Sequence, residues 1–480
     1  MSRGTLVSGV AFLGLFAAAL VVRFDQLHDA LLYPDGYQYL LMARGLSEHL
    51  QPTTELGPGG DVFAPNADAA VKPFFPLVVA LIHLVGASWL EAARIATATS
   101  GAITVVAVAL LVWKLSGSRL AGLCAGALLL ASPGVGFWSG FAGPDPMAQA
   151  LVLTATLAFA FRLPVVGGVV TGLAVCTRPE IALVAVSAAL FALRTEAGRR
   201  DVARAAPAAL VTASLLLVLL RTPVAVQDTR FLWLVPLVCV VVALLAFAPV
   251  RVLRLLALAA LAAVAVAVVT QVGPGELWQR DWPILVLGAA GFVVLLREER
   301  LTPVALASLA VVVLLGGVYV LKNPTLARYF SLLLPVAALL AGVAFATLRG
   351  RTQTVALAAV ATVTVLGLTS RVPGSRDYDM FSSVAEHVAP RLDSAALVTA
   401  APDAYGFWLP EHAVRGMRPG VPGAVLLDAA QRAYEPGLSA EGDVVAQVTH
   451  EIAFTRPDGA IDADPAILVR GRVVARDHGR

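Results

Sequence analysis

The sequence is poor in charge. Asp, Glu, Lys and Arg make up 14% of its 480 residues, against about 25% in soluble domains. With 58% hydrophobic residues, the chain cannot close into one water-soluble globule. A net charge of +3 and the lack of any long Lys/Arg run exclude a nucleic-acid partner. Cysteine is scarce: Cys124, Cys176 and Cys239 all sit within apolar stretches, so neither a disulfide framework nor a CxxC site is implied. No GxSxG, Walker A, HExxH or βαβ-placed GxGxxG is present. This argues against a serine hydrolase, a nucleotide-driven transporter and a zinc protease. No internal repeat of fixed period is visible.

What is abundant is the uncharged apolar run of about 20 residues, the length that crosses a bilayer. Spans located by these runs and oriented by Lys/Arg asymmetry alternate without contradiction. The N-terminal run, residues 6–22, lacks a small-residue cleavage site and reads as an uncleaved span. Later spans fall at about 90–113, 120–138 and 147–161, then 206–220, 231–250, 255–272, 283–296, 302–321, 330–348 and 354–369. The interval 163–193 is too long for one span and short for two. Thr177-Arg178-Pro179-Glu180 interrupts it, so it reads as a hairpin whose turn lies near the outer surface, shielded by protein or a wet cavity. The expectation is an α-helical polytopic protein of about 13 transmembrane helices, N-terminus inside, in the cytoplasmic membrane. Residues 1–370 would form the membrane part. Residues 371–480, of soluble composition, read as a small extracytoplasmic α/β domain: a helix at about 378–392, then β-like runs at 395–400, 424–427, 444–454 and 467–475.

The longest polar interval inside the membrane part follows the first span. The first outer loop, residues 23–89, carries Asp25, Asp29, Asp35, Glu48, Glu55, Asp61, Asp68 and Lys72. Loops this long in compact proteins usually have a function. The run 74–87 is apolar but short, with Pro73 and Pro76 at its start, and reads as a helix lying in the outer interface. Asp35, between Pro34 and Gly36, opens an amphipathic helix. It is either a helix cap or a base at the mouth of the bundle. Asp145, in GPDPMAQAL, would face the same side and has the same two readings. Lys72 either snorkels to headgroups or meets a phosphate. Arg328 and Tyr329, before a late apolar span, either anchor the interface or capture a phosphate. Arg178, in the interrupted hairpin, is an ionisable residue within the membrane, a position that is costly and usually functional; Glu180 offers it a structural ion pair. His28, His49 and His83 show no zinc spacing.

At these residues the chain resembles the GT-C superfamily of integral-membrane glycosyltransferases, in particular the branch of aminoarabinose-lipid A transferases and protein O-mannosyltransferases. The resemblance covers roughly residues 5–370. It rests on PDGYQYLLMARGL after the first span, KPFFPLVVALIHLVG opening the interfacial helix, GPDPMAQAL, CTRPEIALV and ARYFSLLLPVAALL. The glutamate often found before the Lys-Pro pair is Val71 here, and the C-terminal part has no WWDYG-type signature. The resemblance implies a GT-C-like fold and transfer of a sugar from a polyprenyl-phosphate donor to a glycan, lipid or protein acceptor at the outer face. Asp35 would be the base. Lys72, Arg178, Arg328 and Tyr329 would hold the donor phosphate, and Asp145 would orient the acceptor or assist a possible divalent metal ion. A secondary transporter or lipid-linked-sugar flippase would instead predict an inverted repeat and charges at the midplane. A non-catalytic envelope scaffold would predict no cavity joining Asp35, Asp145 and Lys72.

Overall fold

A computed structural model of the chain describes residues 3–27, 35–193, 195–220, 276–298, 333–370, 380–448, 454–455, 461–462 and 464–475. The expected spans at 231–250, 255–272 and 302–321 lie outside the described residues, as do Arg328 and Tyr329.

The first helix, α1 (Arg3–Asp25), precedes α2 (Asp35–His49), a two-stranded hairpin of β1 (Thr54–Glu55) and β2 (Val62–Phe63), the single turn α3 (Ala67–Ala70) and α4 (Phe74–Leu84). The hairpin within the outer loop was not foreseen from the sequence. Helix α4 buries Phe75, Pro76, Val79 and Ala80 and exposes Leu81 and Leu84. An apolar outer face on a helix of this length suits a position in the membrane interface. Helix α5 (Trp89–Ser116) begins at a capping box in which Ser88 and Glu91 satisfy each other's backbone N–H, and ends at Gly117 in the left-handed conformation. Its 28 residues extend about 42 Å at 1.5 Å per residue, more than the hydrocarbon core requires.

The third expected span is broken. Helix α6 (Arg119–Leu130) stops, and α7 (Pro133–Ser139) leaves it at 61°. Ser132 caps α7 and Pro133 occupies its first turn; proline has no N–H to continue α6, but its fixed φ suits the start of a new helix. Next come α8 (Pro144–Ala160), α9 (Pro164–Val175), α10 (Ile181–Ala192) and α11 (Glu196–Leu219). The Thr177–Glu180 interruption is the turn between α9 and α10. Helix α11 begins ten residues before the expected span, at a Thr195 cap, and runs through Pro207. Helix α12 (Glu276–Arg297) includes residues expected in an outer loop, and α13 (Leu333–Phe345) and α14 (Arg351–Thr369) follow. Among the described residues, α5, α11 and α14 each have the length and apolarity of a crossing, and the bent pair α6–α7 makes a fourth. Helices α12 and α13 approach closely because Gly288 and Gly291 lie against Ala337 and Leu340, the small-residue contact by which helices pack in lipid.

Beyond the bundle, β3 (Leu397–Thr399), β4 (Val414–Gly416), β5 (Pro422–Leu427), β6 (Leu438–Val448) and β9 (Ala466–Ala475) form a mixed sheet of order β4-β3-β5-β9-β6. The β3–β4 and β3–β5 pairs are parallel; β9 runs antiparallel to β5 and β6. Strands β7 (Phe454–Thr455) and β8 (Ile461–Asp462) form a separate pair. Strand β4 was missed from sequence: it is three residues long and carries Arg415. Around the sheet lie α15 (Met380–Val388), α16 (Pro402–Trp408) and α17 (Ala429–Tyr434).

The outer loop and this sheet region share one apolar core. It includes Tyr37, Tyr39, Leu40, Leu56 and Phe75 from the loop and Phe381, Tyr405, Val414 and Leu426 from the sheet region. Backbone bonds lace the two together: the Val414 amide donates to Leu56, and the Asp61 amide donates to Val414.

Candidate functional site

The site residues that fall among the described ones can be followed by contact. Asp35 lies in the first turn of α2, where a carboxylate is favoured by the free amides. One helical turn on, Tyr39 meets the edge of Phe75, ring centroids 5.8 Å apart at 87°. Phe75 follows Lys72-Pro73 at the start of α4. Lys72 itself is buried, 4% exposed. The next amide but one, that of Phe74, donates to the Cys176 carbonyl at 3.2 Å, which fastens the Lys-Pro segment to the turn between α9 and α10. Two residues further on, Arg178 is also buried, and its guanidinium pairs with the Asp145 carboxylate. Glu180 is a second anionic partner at 3.6 Å. The first turn of α8 packs against the same turn through Ala148, Ala174 and Ile181. Segments around positions 35, 72, 145 and 178 thus lie in one continuous layer, though nearly 150 residues separate the first from the last.

Arg178 is held by two carboxylates, so its charge is compensated within the protein. This is the ion-pair reading of Arg178, extended to Asp145. Among the described residues, no group of three or more His, Cys, Asp or Glu side chains converges to hold a metal ion. Asp145 and Glu180 with a guanidinium between them do not fit a protein-built site for Mg²⁺ or Ca²⁺, each of which takes six or more oxygens.

The other side of α2 carries features the sequence did not reveal. Trp408 at the end of α16 donates its indole N–H to the Tyr37 hydroxyl at 2.7 Å, and Phe381 and Phe407 meet the Tyr37 ring edge-on. Arg44 donates to the Gly406 carbonyl at 3.1 Å. Asp403, in the first turn of α16, is 8% exposed. The Tyr405 hydroxyl donates to Asp428 at 2.7 Å, and Asp428 also accepts from the Gln431 amide as the cap of α17. Burial pushes the Asp428 carboxyl above its ordinary range, opposed by these two bonds. Helix α17 ends in Tyr434, which is 40% exposed. Burial, then the charge of Asp403, then that of Asp35 hold the Tyr434 phenol above its usual pKa. Asp403 and Tyr434 lie in a stretch that reads as ordinary soluble α/β sequence, and no local motif singles them out.

A second buried polar cluster lies at the α6–α7 break. Arg23 is fully buried and donates to Gln26 at 2.8 Å and to the Leu129 carbonyl at 2.9 Å. Asp281 on α12 accepts from the Ser132 hydroxyl and the Gly134 amide, each at 2.7 Å. Asp281 thereby satisfies backbone that the break would otherwise leave bare. Arg23 and Asp281 were not singled out from the sequence; the signal that could have found them is that each is an ionisable residue flanking an apolar run.

No protein-family model matches the chain, and no curated protein matches it in sequence. Solved structures do match in shape. A mutant of the arabinofuranosyltransferase AftD from Mycobacteria superposes with a TM-score of 0.52 at 17% identity, over 100% of this chain and 42% of that one. AftD without the mutation gives 0.50 at 16%, over 100% and 40%. ArnT from Cupriavidus metallidurans bound to undecaprenyl phosphate gives 0.42 at 15%, over 97% and 98%. This chain spans about two-fifths of the AftD length (42% and 40%). The likeness to AftD over the whole of this chain is one of fold.

Proposed function

We propose that this protein is a membrane glycosyltransferase that moves a sugar from a polyprenyl-phosphate donor to an acceptor at the outer face of the cytoplasmic membrane. The observation that carries the reading is the layer just described. The buried Lys72 segment is bonded to the Arg178 turn by Phe74 and Cys176, Arg178 holds Asp145, and the helix opened by Asp35 rests on the same layer through Tyr39 and Phe75. The likeness of fold to AftD supports it independently.

In this reading Asp35 removes the proton from the acceptor hydroxyl as that oxygen attacks the anomeric carbon. The bond to the lipid phosphate breaks, and the phosphate leaves with its charge met by a cation. Lys72 is the cation for that role. Arg178 acts chiefly by fixing Asp145, which orients the acceptor. Arg328 and Tyr329 complete the phosphate side. Residues 1–370 form the membrane part, with about 13 crossings and a cytoplasmic N-terminus, and residues 371–480 form the outer domain. A lipid phosphate is a good leaving group, so the site needs a base and cations more than a general acid.

The test is sugar transfer by purified Asp35→Asn protein in nanodiscs, supplied with polyprenyl-phosphate sugars. Asn caps helices about as well as Asp, so folding is preserved. Loss of a general base lowers turnover roughly 10²–10⁴-fold while donor binding stays within about twofold. Near-normal turnover would return Asp35 to a capping role and end the assignment.

A further inference from the structure

A cavity of about 580 Å³ opens where the turn of the outer-loop hairpin meets the edge of the C-terminal sheet. Strand β4 ends the sheet on that side, and the hairpin covers its edge. The Asp61 amide donates to the Val414 carbonyl, and the Asp61 carboxylate accepts from the Gly416 amide at 2.9 Å. Glycine is required for this approach. A side chain at Gly57 would strike the His412 carbonyl, and one at Gly60 the Leu56 carbonyl. The walls therefore come from segments 355 residues apart. Two arginines line the sheet side. Arg415 is half-buried and donates to the Gly59 carbonyl at 3.3 Å. Arg418 is exposed and lies 3.5 Å from the Asp61 carboxylate. These residues belong to two glycine-rich stretches, GPGGD and RGMRPG, that the transfer reaction does not use. None of them lies in the layer of Asp35, Lys72, Asp145 and Arg178.

We infer that this cavity is a binding site for an anionic saccharide, one that carries a phosphate or carboxylate beside free hydroxyls. Such a site is separate from the transfer chemistry and does not depend on it. The amides of Gly59, Gly60, Gly416 and Gly420 are all bonded within the protein, so the donors left to a ligand are the two guanidiniums. Each carries five N–H groups in a planar fork that suits phosphate or carboxylate oxygens. Among the described residues, Arg415 spends one nitrogen on Gly59 and Arg418 one on Asp61. The Arg418–Asp61 pair is exposed and worth little, so a ligand anion can draw Arg418 from it at small cost. Asp61 decides against a bare phosphate or a lipid headgroup. Its carboxylate sits among the arginines, where it repels a lone anion and accepts from a hydroxyl. Two arginines and one aspartate leave one net positive charge, which matches a single anionic group with hydroxyls next to it. The volume falls within the range of small-ligand pockets.

The test is equilibrium binding to the full chain in phosphatidylcholine nanodiscs, with glucose 6-phosphate, glucuronic acid, glucose and inorganic phosphate as probes. The two acidic sugars should bind about tenfold more tightly than glucose, which forgoes the charge-assisted bonds, and than phosphate, which forgoes the hydroxyl bonds. Arg415→Gln and Arg418→Gln should each weaken the acidic sugars about tenfold while glucose stays within about twofold. Asp61→Asn removes the repulsion, so phosphate binds more tightly and its gap to glucose 6-phosphate narrows, a change that a purely structural aspartate would not give. All three side chains are at least partly exposed, so the thermal midpoints stay near that of the parent. Lys72→Ala leaves the affinity for the acidic sugars unchanged, because the transfer site is a different place. Glucose that binds as tightly as glucose 6-phosphate overturns the proposal. So does phosphate that binds as tightly, or displacement of glucose 6-phosphate when phosphatidylglycerol is added to the nanodiscs; either would make the cavity a plain anion or headgroup site. Affinities unmoved by both arginine variants, or lost in Lys72→Ala, put the binding elsewhere and overturn it as well, as does no binding of either acidic sugar. None of these outcomes bears on the glycosyltransferase reading, which the turnover of Asp35→Asn decides.

Discussion

Among the described residues the two largest apolar cores are built from different residues. The membrane-side core joins α1, α5, α6, α12 and α13 through Ala, Val, Leu and a few Phe, with neither Tyr nor Trp among its described residues. The outer core joins the first loop to the sheet region and draws on Tyr37, Tyr39, Phe75, Phe381 and Tyr405, with Phe407 and Trp408 packed against it. In lipid, apolar side chains gain little by leaving the solvent, so helices associate by close contact of small residues. At the water face, burial of aromatic area is a real driving force, and Tyr and Trp add hydrogen bonds at their polar ends. The comparison teaches where precision resides. The lower core can slide or swap volume-matched residues, whereas the outer core fixes directions, and the candidate site lies beneath it.

Four measurements would break or sharpen that contrast. The largest effect is expected from Arg178→Ala, which leaves the half-buried Asp145 and Glu180 without their buried cation. Breaking such a pair costs about 3–5 kcal/mol and should lower the thermal midpoint in detergent. Arg178→Ala combined with Asp145→Ala should recover part of the loss. A single variant as stable as the parent would show that the pair does not hold the layer together. Lys72→Ala comes next. It removes the cation assigned to the phosphate, and the KM for a polyprenyl-phosphate sugar should rise about 10- to 100-fold with the fold intact by circular dichroism; an unchanged KM would return Lys72 to a packing role. Tyr37→Phe takes the acceptor from the Trp408 indole and should cost about 1 kcal/mol. It should be felt in proteolysis of the sheet region before the membrane helices, and simultaneous loosening of both would argue against separate cores.

The smallest effect concerns pH. Asp428 has its carboxyl pushed up by burial, so the folded state binds its proton more tightly than the unfolded state does. The stability from this group is therefore full below the ordinary aspartate value and is lost as pH rises through the folded value. Asp428→Asn should flatten that decline, read as a smaller difference in thermal midpoint between mildly acidic and neutral buffer. An identical slope would mean that Tyr405 and Gln431 outweigh the burial.

Much of the architecture was legible in the residues because the signals were strong and local. Uncharged runs mark helices, but the caps at Ser88 with Glu91 and at Gly117, and the break at Ser132-Pro133 within the expected span 120–138, were not singled out from the sequence. Proline and the costly charge of Arg178 marked the interrupted hairpin. The outer-loop hairpin and β4 were missed because each is only two or three residues per strand, too short for any periodicity to appear. The pairing of Arg178 was ambiguous for a different reason. Glu180 is its neighbour in sequence, while Asp145, its partner in space, lies 33 residues away.

Sequence alone therefore determined which segments are apolar, where they break, and which ionisable residues flank the outer surface, since each of these depends on a residue and its near neighbours. Tertiary structure decided which of those residues meet. It joined Asp145 to Arg178, laid the Lys72 segment on the Cys176 turn, and brought Trp408 to Tyr37 on the helix of Asp35 across more than 360 residues of chain. Such meetings depend on how whole helices and a sheet dock, through many weak contacts summed over large areas, and no local pattern of residues encodes that sum.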